Sequence, residues 1–350
     1  SDLKYHLICF DKKGVERESG GRLQSDLIAK MIAAPDSRIT DVFFVTHGWK
    51  GDVPAAIEQC NRWIGAMWRM SADRRAIREK DPDFTPIIVG VHWPSQPWGE
   101  EDLPTDTNPL LLAAASEPGP DQIVDLYAEA ITSTPAAKHA LETIVAAAAQ
   151  DYGQAELDPE VADAYATLLR EAGLGDDEDL SGVDGDNVAW DPNDVFRRAR
   201  ADESGPESLG GSSPSDPSNP GLLGGGGQLD SFLSPLRQLS FWSMKKRARV
   251  VGESGVAGVV AKLQSSTERP VRMHLMGHSF GCIVNSAATM AAVSRTRKPV
   301  DTLILIQGAF SLWSYSRAPQ RNQPGYFSRI VKDGFVRGSI VATLSEHDKA

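Results

Sequence analysis

The chain has 350 residues, enough for one large α/β domain with an insertion or for two smaller domains. Its apolar fraction of 41% and charged fraction of 24% are close to the averages of globular proteins, which argues against a membrane-spanning or wholly disordered chain. The formal net charge of -11 repels polyphosphate, so we expect no nucleic-acid partner.

Strands alternate with helices in the first hundred residues. Short stretches rich in β-branched and aromatic residues predict strands at 3–10, 39–46 and 86–93. Between residues 53 and 69, apolar positions recur at helical spacing. The near-continuous apolar character of the third strand is typical of a parallel sheet that is buried on both faces. Residues 1–100 are therefore predicted to form the first part of an α/β core.

The pattern changes at residue 101. Helical segments near 122–131, 136–150 and 159–171 follow one another without intervening strands, which predicts a helical insertion over residues 101–203. A tract rich in Gly, Ser and Pro then occupies residues 204–227. This composition buries too little apolar surface to offset the entropy of ordering, so we predict a flexible loop there.

The alternation of strands and helices resumes in the last part of the chain. Strands are predicted at 271–276, 302–306 and 339–344, with a helix at 282–294. Strand-helix-strand units on both sides of a helical insertion predict an α/β fold with a doubly wound, mainly parallel sheet. Residues 228–350 form the second part of the core in this prediction.

The sequence Gly277-His278-Ser279-Phe280-Gly281 connects a predicted strand to a predicted helix. In such a G-x-S-x-G turn the serine sits on a bend so sharp that a Cβ two residues before or after it would collide with neighbouring backbone. The bend lifts the hydroxyl clear of the sheet, and the helix N-terminus behind it favours developing negative charge. Ser279 is therefore the predicted nucleophile.

A second short motif, His47-Gly48-Trp49, ends an early predicted strand. Acyl transfer needs N–H donors that stabilise a tetrahedral oxyanion, and one of them typically comes from an early strand-helix loop. We predict that the donors are the backbone amides of Trp49 and Phe280. His47 is expected to orient the loop and not to act as a base.

At these residues the sequence resembles the α/β-hydrolase superfamily, most closely its lipase- and esterase-like members. Those proteins pair a His-Gly loop after an early strand with a Gly-His-Ser-x-Gly turn, and the resemblance covers residues 39–100 and about 240–350. It implies an α/β-hydrolase fold, the catalytic order Ser, acid, His along the chain, and a cap or lid that residues 101–227 would supply. The chain lacks the Gly-Gly-Gly oxyanion loop of one lipase branch.

The order implied by the resemblance places the catalytic acid just beyond a strand that follows the nucleophile. Asp348 comes shortly after the predicted strand at 339–344 and is the predicted acid, with Glu346 as the alternative. Asp301 is discounted because it precedes its strand.

The catalytic histidine has no obvious candidate. Only Lys349 and Ala350 follow Asp348, so we expect the base downstream of residue 350, in a longer polypeptide with further domains. His347 would serve only in an unusually folded loop. The remaining histidines are expected to be structural: His6, His92, His139, His274 and His278.

These features predict a serine hydrolase that cleaves a carboxylic ester, with a lipid ester as one option, through an acyl-enzyme on Ser279 and without a cofactor or metal. The alternative is a catalytically idle hydrolase-like domain that serves as a binding or regulatory module of a longer multidomain protein. Four tryptophans are candidates either for an apolar acyl pocket or for the core: Trp93, Trp98, Trp242 and Trp313.

Three further features concern partners and location. The basic run at 245–249 is expected on a solvated helix face, with contact to an anionic lipid surface as the alternative. Cys9, Cys60 and Cys282 are expected to be small buried hydrophobes, since their spacing fits neither disulfides nor zinc. No signal-peptide pattern and no run of about 18 apolar residues occur, which predicts a cytoplasmic protein and leaves signal-independent export open.

Overall fold

The computed structural model describes residues 4–49, 53–95, 119–150, 156–174, 190–203, 228–311, 313–317 and 324–344. The strands of this part of the chain are β1 (His6–Cys9), β2 (Asp41–Thr46), β3 (Pro86–His92), β4 (Arg272–His278), β5 (Thr302–Ile306) and β6 (Ile340–Thr343). Its first helices are α1 (Gln24–Ala33), α2 (Val53–Arg69), α3 (Ser71–Lys80), α4 (Pro120–Ala130), α5 (Pro135–Gln150) and α6 (Pro159–Glu171). Its later helices are α7 (Pro192–Glu203), α8 (Gln228–Val250), a π-helical turn (Val251–Val256), α9 (Ala257–Ser265), α10 (Phe280–Thr296) and α11 (Ser328–Lys332).

The strands form one six-stranded sheet in the order β1-β3-β2-β4-β5-β6, and every pairing in it is parallel. The prediction of an α/β protein with a parallel sheet is confirmed. At the centre, β2 and β4 are neighbours, with Thr46 opposite Gly277. Because parallel strands end at the same edge, the segments that follow β2 and β4 emerge side by side at the carboxyl edge of the sheet.

Helices flank this sheet. Side chains along β4 alternate between fully and partly buried, as expected when successive residues point to opposite faces. Cys60 and Ile64 of α2 pack together with Val45, and Met276 lies against the same cluster. Helix α10 contacts β2, β4 and β5. The central strands are thereby held between helices, which fixes the positions of their carboxyl ends.

A polar network closes the opposite, amino edge of the sheet. The carboxylate of Asp41, only 2% exposed, accepts hydrogen bonds from Arg272 Nε and Nη2 at 2.6 and 2.7 Å and from His274 Nε2 at 2.9 Å. Burial by itself would raise the pKa of Asp41, but the hydrogen bonds from His274, Arg272 and Thr40 outweigh it and hold that pKa well below its ordinary value. His274 Nδ1 also lies 2.9 Å from Thr302 Oγ1. The network links β2, β4 and β5, which gives His274 a structural role.

A second compact unit is helical and lies in the chain between β3 and β4; its described part comprises α4 to α7 and the beginning of α8. Its core contains Tyr165, whose hydroxyl donates to the Phe232 carbonyl at 2.5 Å. The sequence predicted that the sheet-containing part resumes at residue 228, but α8 belongs to the helical unit as far as Met244. Apolar residues of α8 such as Leu236 pack into the helical core, and helical periodicity alone does not reveal which core a helix joins.

Two further findings concern the helices. In the described part of the chain, no helix is both long enough and apolar enough to cross a bilayer. The prediction of a solvated face for the basic run is wrong for Lys245, whereas Arg247 and Arg249 are half-buried. Lys245 is only 7% exposed, Arg247 Nη1 donates to the Pro94 carbonyl at 3.4 Å, and the Arg249 guanidinium lies over the Tyr326 ring at 5.3 Å. The predicted loop at 204–227 lies outside the described residues.

Candidate active site

Ser279 lies between β4 and α10 in a backbone conformation with φ 51° and ψ −119°. A positive φ is uncommon for a residue other than glycine and costs on the order of 1–3 kcal/mol. Hydrogen bonds on both sides hold the residue in place. Its N–H donates to the Ile306 carbonyl at 3.0 Å, and its carbonyl accepts from the N–H groups of Cys282 and Ala309 at 3.0 and 3.2 Å. The surrounding backbone therefore imposes a strained turn on this serine.

The two flanking glycines are required by close backbone contacts. A Cβ on Gly277 would lie 2.3 Å from the Gly281 carbonyl oxygen. A Cβ on Gly281 would lie 2.5 Å from the Thr46 oxygen and 2.6 Å from the His47 oxygen. Non-bonded carbon and oxygen atoms do not approach each other so closely. A side chain at either position would therefore force the backbone to move. Gly277 and Gly281 are therefore both positions that accept only glycine, as predicted.

The turn leaves Ser279 partly exposed at the carboxyl edge of the sheet. Among the residues that the structure describes, none forms a hydrogen bond with Ser279 Oγ, while both peptide groups of the residue are bonded. The hydroxyl is thus placed outside the packed core, on a backbone that is fixed on both sides. This is the geometry that a nucleophile requires.

The loop after β2 lies directly against this turn. A Cβ on Gly48 would lie 3.1 Å from Ser279 Cβ and 3.3 Å from the His278 carbonyl oxygen, so only a very small residue fits there. The rings of Trp49 and Phe280 pack together with their centroids 5.4 Å apart. Phe280 is the first residue of α10, and the first N–H groups of a helix have no acceptor within the helix. The two amides predicted to bind an oxyanion thus belong to neighbouring residues beside Ser279.

His47 is buried beneath this loop, and its neighbours determine its tautomer. Its Nδ1 lies 2.8 Å from the Gly48 carbonyl oxygen, and its Nε2 accepts the N–H of Trp93 at 3.3 Å and lies 3.0 Å from His92 Nδ1. Since a carbonyl can only accept and an amide N–H can only donate, the proton resides on Nδ1. The Trp93 indole also donates to the His47 carbonyl at 3.1 Å. This geometry supports the interpretation of His47 as the residue that orients the loop.

The predicted acid and its alternatives, Asp348, Glu346 and His347, lie outside the described residues. The strand that precedes them ends at the site, because Thr343 of β6 pairs with Ile306, whose carbonyl binds the Ser279 N–H. Asp301, which the sequence analysis discounted, lies at the start of β5. Its carboxylate accepts the Met273 N–H at 2.8 Å and pairs with Arg337 at 2.9 Å. These contacts give it a structural role at the amino edge.

The predicted pocket tryptophans lie in different places. Trp93 is fully buried and stacks on Phe280 at 6.4 Å, and Trp242 belongs to the core of the helical unit. Trp313 is 43% exposed, and Trp98 lies outside the described residues. Trp93 and Trp242 are therefore core residues, although the ring of Trp93 supports the loop beside Ser279.

The cysteines are free thiols buried in the core, as predicted. Burial raises the pKa of Cys60 to about 11 and that of Cys282 to about 12. Cys282 is only three residues from Ser279, but at neutral pH it is a protonated thiol and not a nucleophilic thiolate. Burial also lowers the pKa of His278, whose imidazole is therefore neutral in the same range. Neither Cys282 nor His278 therefore carries a charge at neutral pH beside Ser279.

Sequence reasoning missed two residues near the turn. Asn285 on α10 is completely buried, and its Oδ1 accepts the Thr46 hydroxyl at 2.9 Å, which ties the end of β2 to the helix behind the serine. An amide directly after the apolar first turn and a half of the helix was a visible signal for this contact. Gln307, just after β5, has a φ of 46°. No sequence signal indicates a left-handed backbone at a glutamine.

Comparison with protein-family models, with curated proteins and with solved structures finds no match for this chain. The chemistry of the site is therefore inferred from the geometry around Ser279.

Proposed function

We propose that the chain is a serine hydrolase of the α/β-hydrolase type that cleaves a carboxylic ester through an acyl-enzyme on Ser279. The observation that carries the proposal is the left-handed backbone of Ser279 at the junction of β4 and α10. Such strain persists only where the surroundings impose it, and it is concentrated at functional sites. We propose that the helical unit, which lies in the chain between β3 and β4, is the cap that the resemblance implies.

In this mechanism Ser279 Oγ attacks the ester carbonyl carbon while a base takes the hydroxyl proton. The carbonyl oxygen becomes an oxyanion, which accepts hydrogen bonds from the amides of Phe280 and Trp49. Collapse of this intermediate expels the alcohol, which receives the proton from the protonated base. Water, activated by the same base, then attacks the acyl-enzyme and releases the acid.

The base has to be an imidazole that can reach Ser279 Oγ, and we propose that Asp348 orients it. Two nearby histidines have other contacts: His47 supports the loop, and His278 Nδ1 lies 3.5 Å from Gln59 Nε2 and packs edge-on to Trp63. We therefore propose that the base is a histidine outside the described residues.

The substrate class follows from the surroundings of the turn. The half-buried ring of Trp49, which follows Gly48 beside Ser279, packs on the buried ring of Phe280 and makes the surface next to the serine apolar. We therefore propose an ester with an apolar acyl group, such as a lipid ester.

Hydrolysis of p-nitrophenyl esters of increasing acyl length by the full-length protein tests this function. We expect turnover by the wild type and by Ser294→Ala, a control at an exposed position on α10, and none by Ser279→Ala. Activity should rise from acetate towards longer chains. If Ser279→Ala retains full turnover, the proposed nucleophile is wrong.

The alternative is a catalytically idle module. It is favoured by one observation: in the described part of the chain, no imidazole is hydrogen-bonded to Ser279 Oγ. A full-length wild-type protein that hydrolyses none of the esters would support this alternative.

A further inference from the structure

Three residues other than glycine have a positive φ in the described part of the chain: Ser279, Arg297 and Gln307. Arg297 is explained by its place at the end of α10, where its N–H donates to the Val293 carbonyl at 2.8 Å. A left-handed residue commonly ends a helix in this way. Gln307 ends no helix. It follows β5 at the same edge of the sheet as Ser279, and its φ of 46° needs another explanation.

The contacts around Gln307 lead directly to the proposed nucleophile. Ile306, the residue before it, accepts the Ser279 N–H at 3.0 Å, and Ala309, two residues after it, donates to the Ser279 carbonyl at 3.2 Å. The segment from 306 to 309 therefore binds both peptide groups of Ser279. Gln307 lies at the bend between these two bonds. An extended residue there would continue the direction of β5 and carry Ala309 away from Ser279.

The backbone of Gln307 also reaches the next strand. Its N–H lies 3.2 Å from the Thr343 carbonyl oxygen and 3.3 Å from Thr343 Oγ1, at the end of β6. The chain proceeds from Thr343 towards Asp348, the proposed acid. Gln307 therefore lies between the turn that carries Ser279 and the end of β6, the strand that precedes the proposed acid.

We propose that Gln307 is a positioning residue, whose left-handed backbone fixes the separation between the Ser279 turn and the end of β6. The inference rests on the proposed function, because the separation matters only if the groups after Thr343 act together with Ser279. A fixed backbone keeps the reacting groups aligned, and small misalignments are costly in catalysis. A residue that leaves this conformation easily would loosen the alignment of Ser279 with the end of β6.

Substitution by glycine and by asparagine separates backbone restraint from other roles. Both residues accept a positive φ, but glycine adds freedom whereas asparagine stays restricted and keeps an amide side chain. We expect Gln307→Gly to lower kcat for ester hydrolysis about tenfold with KM unchanged, and Gln307→Asn to stay within about twofold of the wild type. The rate of labelling of Ser279 by a fluorophosphonate should fall in parallel with kcat.

Arg297→Gly and Arg297→Asn are the matched controls, because Arg297 has a φ of 60° at the helix end remote from Ser279. We expect both to keep wild-type kcat, and none of the four variants to lower Tm. An unchanged kcat in Gln307→Gly, in a protein that Ser279→Ala inactivates, would overturn the positioning role and leave the proposed function intact. A loss of kcat that is accompanied by a fall in Tm, or that is equal in Gln307→Asn, would also overturn it. A wild-type protein that is never labelled at Ser279 would instead refute the proposed function.

Discussion

The two edges of the sheet differ in the residues found at the two ends of the same strands. At the amino edge, β2 and β4 begin with Asp41, Arg272 and His274, whose charges and hydrogen bonds are matched to one another. At the carboxyl edge, β4 and β5 are followed by Ser279 and Gln307, which are held in strained conformations. Favourable polar contacts at one edge and strain at the other support our proposal that the amino edge stabilises the fold and that the carboxyl edge carries the active site.

The largest expected effect concerns Ser279 itself. Ser279→Gly removes the hydroxyl and relieves the positive φ, so activity should fall by at least about 10³-fold while stability rises by about 0.5–1 kcal/mol. Ester hydrolysis and urea unfolding, measured on the same preparation, check both effects. A glycine variant that is less stable than the wild type would show that the carboxyl edge is not strained, which would remove the contrast between the edges.

Gly281→Ala tests the close packing beneath the turn. The added Cβ would lie 2.5 Å from the Thr46 oxygen, and we expect a loss of at least about 3 kcal/mol in the free energy of unfolding. Gly258→Ala on α9 is the matched control, because its Cβ would meet only the end of the Arg295 side chain at 3.5 Å. That variant should be neutral or more stable by up to about 1 kcal/mol. Equal effects of the two substitutions in denaturant unfolding would contradict the packing argument.

Asp41→Asn tests the amino edge. The substitution removes a buried negative charge that binds Arg272 and His274, and it should lower the free energy of unfolding by about 2 kcal/mol at neutral pH. Ester hydrolysis per folded molecule should not change. Lost activity without lost stability would show that the two edges are not specialised in this way.

The pKa of Asp41 also leads to a prediction about how the stability of the fold depends on pH. The pKa of Asp41 is lower in the folded chain than its unfolded value of about 3.9. The ionised carboxylate therefore contributes stability that is fully present above that value and is lost as the pH falls towards the folded pKa. Between about pH 5 and pH 2, unfolding of the wild type should depend on pH more steeply than unfolding of Asp41→Asn. Identical slopes would contradict this coupling.

The smallest expected effect concerns the bond between Thr46 and Asn285. Asn285→Ala leaves the buried Thr46 hydroxyl without its acceptor and should cost about 1–2 kcal/mol of stability. Thr46→Val with Asn285→Ala should cost less than the sum of the single changes, because the unsatisfied hydroxyl is removed. Additive effects in a double-mutant cycle would show that the contact is not energetically important.

The sequence predicted those parts of the molecule that depend on local pattern. Apolar strands alternating with helices predicted the parallel sheet, and Gly277 and Gly281 around Ser279 predicted a bend that only glycine permits. These features can be read from the sequence because the residues that determine them are close together in the chain.

Features that depend on distant residues were not predicted. Asp41 and Arg272 are 231 positions apart in the chain, so their pairing follows from the register of β2 and β4. Lys245 was expected in solvent, but it is buried, because the side on which a helix packs is decided by tertiary structure. Gln307 carries no chemical sign of its left-handed backbone. Its conformation follows from its own bond to Thr343 and from the bonds of Ile306 and Ala309 to Ser279, and these partners come together only when the sheet forms.

In the proposed mechanism, the Ser279 hydroxyl is an activated nucleophile. Treatment of the full-length protein with a fluorophosphonate, followed by digestion and mass spectrometry, measures this directly. We predict a single adduct, on Ser279, whose formation is abolished by heat denaturation and prevented by an ester substrate. An adduct on any other serine, or none on a folded protein, would contradict the claim.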